Sequence, residues 1–171
     1  MISIKSKSTN KLTLKEKRKI LNLKNEFWKK GLSSQKIWFK KNIKLSDVHN
    51  LLFIGNKLIG YTCLRLRTLK IKKNFYKYYL FDTLIISRKL RNKGYGTLLN
   101  YFNQKVIDTK NISSFLVCNN DAIKFYKKNH WTSLKNKNFK IMDENYGLKF
   151  GMIYNLITKN SKSKLFIWVK K

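Results

Sequence analysis

Arg91-Asn92-Lys93-Gly94-Tyr95-Gly96 is the stretch on which the reading of this chain turns. Before it runs Phe75–Ser87, whose Tyr78-Tyr79-Leu80-Phe81-Asp82-Thr83-Leu84-Ile85-Ile86 is nearly continuous in apolar residues and so predicts a largely buried strand. After it, Leu98, Leu99, Phe102, Val106 and Ile107 recur at helical spacing. Glycines between a buried strand and an amphipathic helix let the backbone approach a ligand closely. The helix start adds unpaired N–H donors and positive potential, so an anion, above all a phosphate, is the expected guest. Arg91 and Lys93 add charge, and Thr97 adds a hydroxyl. The stretch is not a P-loop, because no G-K-[ST] follows, and it lacks the third glycine of the dinucleotide fingerprint. Taken alone, the pair of glycines reads equally well as a tight turn.

Working outward, Thr13 and Glu16 form a capping box, followed by Ile20, Leu21, Leu23, Phe27 and Trp28, with Gly31 as the expected helix end. A second short helix is expected over Ser34–Lys41, with Ile37 and Trp38 as its apolar side. Met1–Lys5, Leu51–Ile54 and Leu58–Ile71 read as strands, the last two joined at Gly55-Asn56-Lys57. Lys72–Asn74 is the next turn. Beyond the first motif, Phe115–Cys118 is a short buried strand and Asp121–Lys128 a helix. Trp131–Leu134, Phe139–Met142, Met152–Ile157 and Leu165–Val169 are candidate closing strands. The order predicts an α/β (α+β layered) fold, a mixed central sheet with helices on both faces. No linker or repeat divides residues 1–171, so one domain is expected, with 158–171 as an extra C-terminal strand or tail.

The chain has 171 residues, 39 Lys plus Arg against 8 Asp plus Glu, and a net charge of +31. A content of 11 Phe, 9 Tyr and 4 Trp excludes simple disorder. No apolar run is long enough for a membrane span or a secretory signal, so a cytoplasmic protein is expected. Cys63 and Cys118 have no metal-ligand spacing and make no disulfide framework. His49 and His130 lack ligand company, so no metal is expected. The charge invites a nucleic-acid reading. Its cause is more simply compositional: arginine stands only at 18, 65, 67, 88 and 91, Ala122 is the one alanine and proline is absent, as an AT-rich coding bias produces. The bias does not by itself explain the shortage of acids.

Arg91-Asn92-Lys93-Gly94-Tyr95-Gly96 after an apolar strand resembles the R/Q-x-x-G-x-G/A acyl-CoA motif of the GNAT superfamily of N-acetyltransferases. A second motif, Asn119-Asn120-Asp121-Ala122-Ile123-Lys124-Phe125-Tyr126-Lys127-Lys128-Asn129-His130-Trp131, resembles the family's N-x-x-A-I-x-x-Y-x-x-x-G-F/W. Asn119, Ala122, Ile123, Tyr126 and Trp131 match; His130 departs, standing where glycine is usual. The two motifs span about a third of the chain.

The resemblance implies acetyl-CoA as co-substrate and direct transfer to an amine. It implies that backbone groups of Ile85, Ile86 and Ser87 hold the pantetheine arm. The N–H groups from Asn92 to Thr97, with Arg91 before them, would hold the pyrophosphate, and Asn119 would meet the pantetheine or acyl end. Tyr126 would protonate the departing thiolate, which suits a phenol near pKa 10 against a thiol near 8.5. Its plainer reading is helix core, since Ala122, Ile123 and Tyr126 share a face. Asp82 would be the general base, directly or through water. Its plainer reading is an ion pair with Arg65 or Arg67 on the preceding strand, because an unpaired buried carboxylate is costly. Trp28, Trp38 and Phe39 read either as helix core or as lining of the acceptor pocket.

The expected activity is therefore N-acetyl transfer to a primary amine of a small molecule, an amino sugar being favoured, or of a protein. The scarcity of acids argues against a polycationic acceptor, and the basic surface better fits a neutral or anionic amine, such as an amino sugar or nucleotide sugar. The rival is a non-enzymatic basic module binding RNA or ribosomes. Aromatics among lysines, as in Asn74-Phe75-Tyr76-Lys77-Tyr78-Tyr79, suit stacking on bases, although strand burial explains them more cheaply.

Overall fold

The computed structural model of the chain describes residues 1–71, 73–134, 139–142, 150–156 and 166–169. Its elements are β1 (Ile2–Ser8), α1 (Leu14–Trp28), α2 (Leu32–Asn42), β2 (Val48–Ile54), β3 (Lys57–Ile71), β4 (Asn74–Ile86), α3 (Tyr95–Lys110), β5 (Ser113–Cys118), α4 (Asn120–Lys128), β6 (Thr132–Leu134), β7 (Phe139–Met142), β8 (Phe150–Tyr154) and β9 (Phe166–Val169). The strand order is β1-β2-β3-β4-β5-β8-β6, with β9 beside β3 and β7 beside β9. β4 and β5 are parallel, joined through α3, while β1/β2, β2/β3, β5/β8 and β6/β8 are antiparallel. This is the mixed α/β layered fold expected. β9 falls within the C-terminal stretch expected as strand or tail, and pairs Phe166–Val169 with Ile71–Thr68. Positions 158–165 and 170–171 of that stretch, Ile157 of the expected strand Met152–Ile157, and Lys72 of the expected turn lie outside the described residues.

The chain forms two compact units, Met1–Arg65 with Asp82–Asn103, and Leu66–Phe81 with Gln104–Lys171. In the first, alternation along the strands sorts the core into two layers. Leu51, Phe53, Leu58, Tyr61, Cys63 and Ile85 pack with Leu12, Ile20 and Leu23, the α1 side. Leu52, Ile59 and Ile86 pack with Leu99 of α3. The register of β2 against β3 shifts between Leu52 and Phe53, a bulge that spoils simple alternation at Ile59-Gly60. A Cβ on Gly60 would stand 2.8 Å from Ile86 Cδ1 and 3.2 Å from Leu52 Cβ, so glycine is what lets β4 pack there.

The capping box forms as expected: Glu16 N–H donates to Thr13 Oγ1, and Thr13 N–H to Glu16 Oε2. The end of α1 differs from expectation. Lys29 takes the left-handed C-cap at φ +43, while Gly31, at φ +80, caps the start of α2. The buried residue of α2 is Gln35, with Trp38 and Phe39 half-buried; Ile37 points to solvent. Leu98 in α3 is likewise exposed, leaving Leu99 and Ile107 as buried anchors.

In the second unit, Leu69, Ile71, Tyr78, Leu80, Phe115 and Ile153 form one cluster. Phe81, Tyr126 and Trp131 form another, edge to face at 5.3–6.1 Å between ring centroids.

Candidate active site

The loop after β4 is built from backbone first. Ser87 N–H donates to Ile59 carbonyl at 2.8 Å, and Ser87 carbonyl accepts from Leu90 N–H. Both main-chain groups of Ser87 are thus engaged inside the first unit. Strand alternation then turns the groups of Ile85 toward β3 and those of Ile86 toward the other edge. That edge carries no further strand within the unit. Ile86 carbonyl accepts from Arg91 Nε at 3.1 Å, and the Arg91 guanidinium lies 5.0 Å from the Phe27 ring centroid. Asn92 at φ +60 and Gly94 at φ +79 reverse the chain. A Cβ on Gly94 would meet nothing within 4 Å, so the backbone angle alone calls for glycine. Leu98 N–H bonds Gly94 carbonyl, which places Tyr95, Gly96 and Thr97 in the first turn of α3. Their N–H groups have no carbonyl to bond within the helix. Arg91, Asn92 and Lys93 around them are exposed.

The base of this loop is tied by a residue that the sequence did not single out. Glu26, near the end of α1, accepts from Arg88 N–H at 2.8 Å and from Ser87 Oγ at 3.1 Å. Its only sequence signal is that it is one of eight acids.

Asp82 sits in β4 with its side chain 24% exposed. Oδ2 accepts from Arg65 Nη1 at 2.9 Å, and Oδ1 from the Thr83 hydroxyl at 3.2 Å. The arginine that pairs with it is Arg65, which is 1% exposed; Arg67 donates Nη1 to Leu66 carbonyl. Thr83 has φ +63, a strained angle for a β-branched residue, immediately after the acid. Beside this pair stand aromatic and basic groups. Lys24 on α1 is buried, its Nζ 3.4 Å from the Trp38 ring centroid and 5.4 Å from that of Trp28. Burial is the main cause that lowers its pKa to about 8; Asp82 opposes the shift, and Arg65 adds to it. Phe39 packs against the α1-side core and stacks on His49.

Asn119 and Tyr126 belong to the second unit. Asn119 is the exposed N-cap residue of α4, its carbonyl accepting from Ala122 N–H. Tyr126 is 9% exposed within the Phe81 and Trp131 cluster. His130 adopts φ +64, so the turn after α4 keeps the left-handed geometry that glycine favours. Both cysteines are free and buried, and burial pushes both thiols up. Among the described residues no three His, Cys, Asp or Glu side chains gather as a metal site, and no helix is long and apolar enough to cross a membrane.

The model of the acetyltransferase (GNAT) family matches residues 17–131, which hold both motifs. The chain belongs to the GNAT acetyltransferase family. It is an acyltransferase, and the family acts on an amine. Among solved structures, this GNAT fold is similar to Escherichia coli ElaA, with a TM-score of 0.66, 14% identity, and 90% of this chain and 99% of that chain covered. It is similar to an acyl-CoA N-acyltransferase from Pseudomonas aeruginosa, with a TM-score of 0.67, 14% identity and the same coverage. It is also similar to an aminoglycoside 6'-N-acetyltransferase complexed with coenzyme A, with a TM-score of 0.60, 13% identity, and 88% and 96% covered. No curated protein sequence matches the chain. In this GNAT chain the first motif, Asp82, Arg65 and Lys24 fall in or at the ends of elements of the first unit, and the second motif in the other.

Proposed function

We propose that the protein transfers the acetyl group of acetyl-CoA to a primary amine by direct attack, with both substrates bound together. The loop from Arg91 to Gly94, which follows β4 and feeds an open first turn of α3, carries this reading. It fits an acyl-CoA: the free N–H groups of Tyr95, Gly96 and Thr97 suit a pyrophosphate, and the empty space over Gly94 permits close approach. Arg91, Asn92 and Lys93 border that site. Backbone groups of Ile85, Ile86 and Ser87 are assigned to the pantetheine arm, Ile86 first among them because its N–H faces away from β3, whereas Ser87 N–H is bonded to Ile59. Asn119 is assigned to the pantetheine or acyl end.

The acceptor arrives as an ammonium and gives a proton to Asp82, directly or through water. Its nitrogen attacks the thioester carbonyl carbon; a C–N bond forms and the C–S bond breaks. Sulfur leaves as a thiolate and takes a proton from the Tyr126 hydroxyl, and the second proton, shed by the nitrogen as it becomes the amide, returns through water to the Tyr126 oxygen. Residues 1–171 act as one N-acetyltransferase domain, and the two free thiols suit a cytoplasmic setting.

The test is calorimetric titration of nuclease-treated protein with acetyl-CoA at raised salt, with ATP and 3′,5′-ADP as charge controls. Saturable binding that needs the pantetheine and is lost in Gly96→Glu is the expected result. Binding no tighter than ATP sinks the reading. If Tyr126→Phe and Asp82→Asn both leave turnover unchanged, their assigned roles are wrong even where the cofactor binds. The net charge of +31 supports a second reading, a basic module for RNA or ribosomes. Such binding falls steeply with added salt, whereas a shaped CoA site persists.

A further inference from the structure

The first unit holds, beside Asp82, a buried lysine that the transfer chemistry leaves unused. Lys24 has 3% of its surface exposed, and among the described residues its ammonium meets ring faces and no hydrogen-bond acceptor. An ammonium carries three N–H donors, and an aromatic face offers attraction without lone pairs. The Arg65 guanidinium lies 5.7 Å from the same Trp38 ring, so one indole stands beside two buried cations. Among the described residues the carboxylate that acts on Lys24 is Asp82, and it is hydrogen-bonded to Arg65. His49 adds no charge, since burial lowers its pKa to about 4. Among the described residues Lys24 has no carboxylate hydrogen-bonded to it. A lysine kept only for packing, one turn beyond Ile20 on the same helix face, is replaceable by an apolar residue that avoids the desolvation cost.

We infer that Lys24, walled by Trp28 and Trp38, receives an oxyanion of the acceptor, a carboxylate or a phosphate, while Asp82 faces the acceptor's amine. The substrate class is then an amine that also carries an anionic group. This rests on the proposed acetyl transfer for the identity of the acceptor, though binding of the anion is tested without it. Trp28, 39% exposed, lies at the solvent side of the cluster. Lys24 itself is buried, which suits a small anionic group and not a polyanion lying on a surface.

The full chain is labelled with 5-fluorotryptophan, and its four tryptophan signals are followed by fluorine NMR, that of Trp38 assigned with Trp38→Phe. Acetate and inorganic phosphate are titrated at ionic strength held constant with KCl, and acetamide serves as the neutral control. The expected result is a saturable shift of the Trp38 signal with either anion and not with acetamide. The two arms rank carboxylate against phosphate. The shift is expected to vanish in Lys24→Met and to return in Lys24→Arg. An equal response to acetamide, an unchanged response in Lys24→Met, or no saturable shift overturns the inference. Acetyl-CoA is titrated into the same samples. Failure of that binding would sink the cofactor reading and leave the anion result standing; CoA binding without an anion response sinks only the anion site. In turnover, an amine bearing a carboxylate should exceed its amide counterpart by about tenfold in kcat/KM, with the ratio near one in Lys24→Met.

Discussion

His49 shows how far burial outweighs charge at a single residue. The ring is 0% exposed, with Nε2 2.8 Å from Thr9 Oγ1 and Nδ1 2.8 Å from Tyr61 OH. Thr9 gives its hydroxyl proton to Lys44 carbonyl, so its oxygen accepts from Nε2–H, and Nδ1 accepts from Tyr61. A neutral tautomer satisfies every partner, and a second ring proton would face the Tyr61 donor. Burial accordingly lowers the pKa from 6.5 to about 4. The unfolded chain therefore binds a proton near pH 6.5, while the folded chain resists until about pH 4. Stability is fully present above pH 6.5 and falls as pH drops through that window, by on the order of 3 kcal/mol. Urea unfolding at pH 7, 5.5 and 4.5 should show this slope in the native chain and its loss in His49→Gln. Parallel curves for the two proteins would assign the acid sensitivity to other groups.

Glu26 is the point at which one element fixes another. Removing its charge loosens Ser87 and Arg88, which lead directly into the Arg91–Gly94 loop. Glu26→Gln should weaken acetyl-CoA binding about tenfold by calorimetry. Thr13→Ala, at the far end of the same helix, should cost about 1 kcal/mol of stability in urea and leave that binding unchanged. Equal effects of both changes on binding would mean that Glu26 acts through helix stability alone. The contrast marks what was legible in the sequence. The capping box and the Gly94 loop are local devices, readable because their partners are three or four residues away. The end of α1 was misread because a lysine took the left-handed angle that Gly31 advertised. Glu26 and its partner Ser87 are 61 residues apart, and Gly60 owes its need for a missing side chain to Ile86. Lys24 over Trp38 joins two helices whose angle no periodicity reveals. The second unit's Tyr126 was readable as a helix-face residue, while its aromatic partner Phe81 comes from a distant strand.

For the whole molecule, a net charge of +31 on 171 residues means self-repulsion in the folded state. Pairs such as Lys7–Glu16 and Arg65–Asp82 offset little of it. Raising KCl from about 0.02 M to 0.5 M shortens the screening length from roughly 20 Å to about 4 Å. The Tm should therefore rise across that range in a calorimetric scan. A flat or falling Tm would show that the positive groups are spaced widely enough to ignore one another.

The first unit is discontinuous in sequence, closing only when Asp82–Asn103 joins Met1–Arg65. On a ribosome adding about 5–20 residues per second, the chain from Arg65 to Asp82 takes roughly 1–3 s to make. A hairpin such as β2-β3 forms within about 10 μs. For an interval of that length after β2 and β3 leave the ribosome, the nascent protein carries a hairpin with the fourth strand not yet emerged and one β3 edge open. The moment of greatest danger in the life of this molecule, when a second nascent copy or a chaperone finds an unpaired strand, is written into the order in which its strands are made.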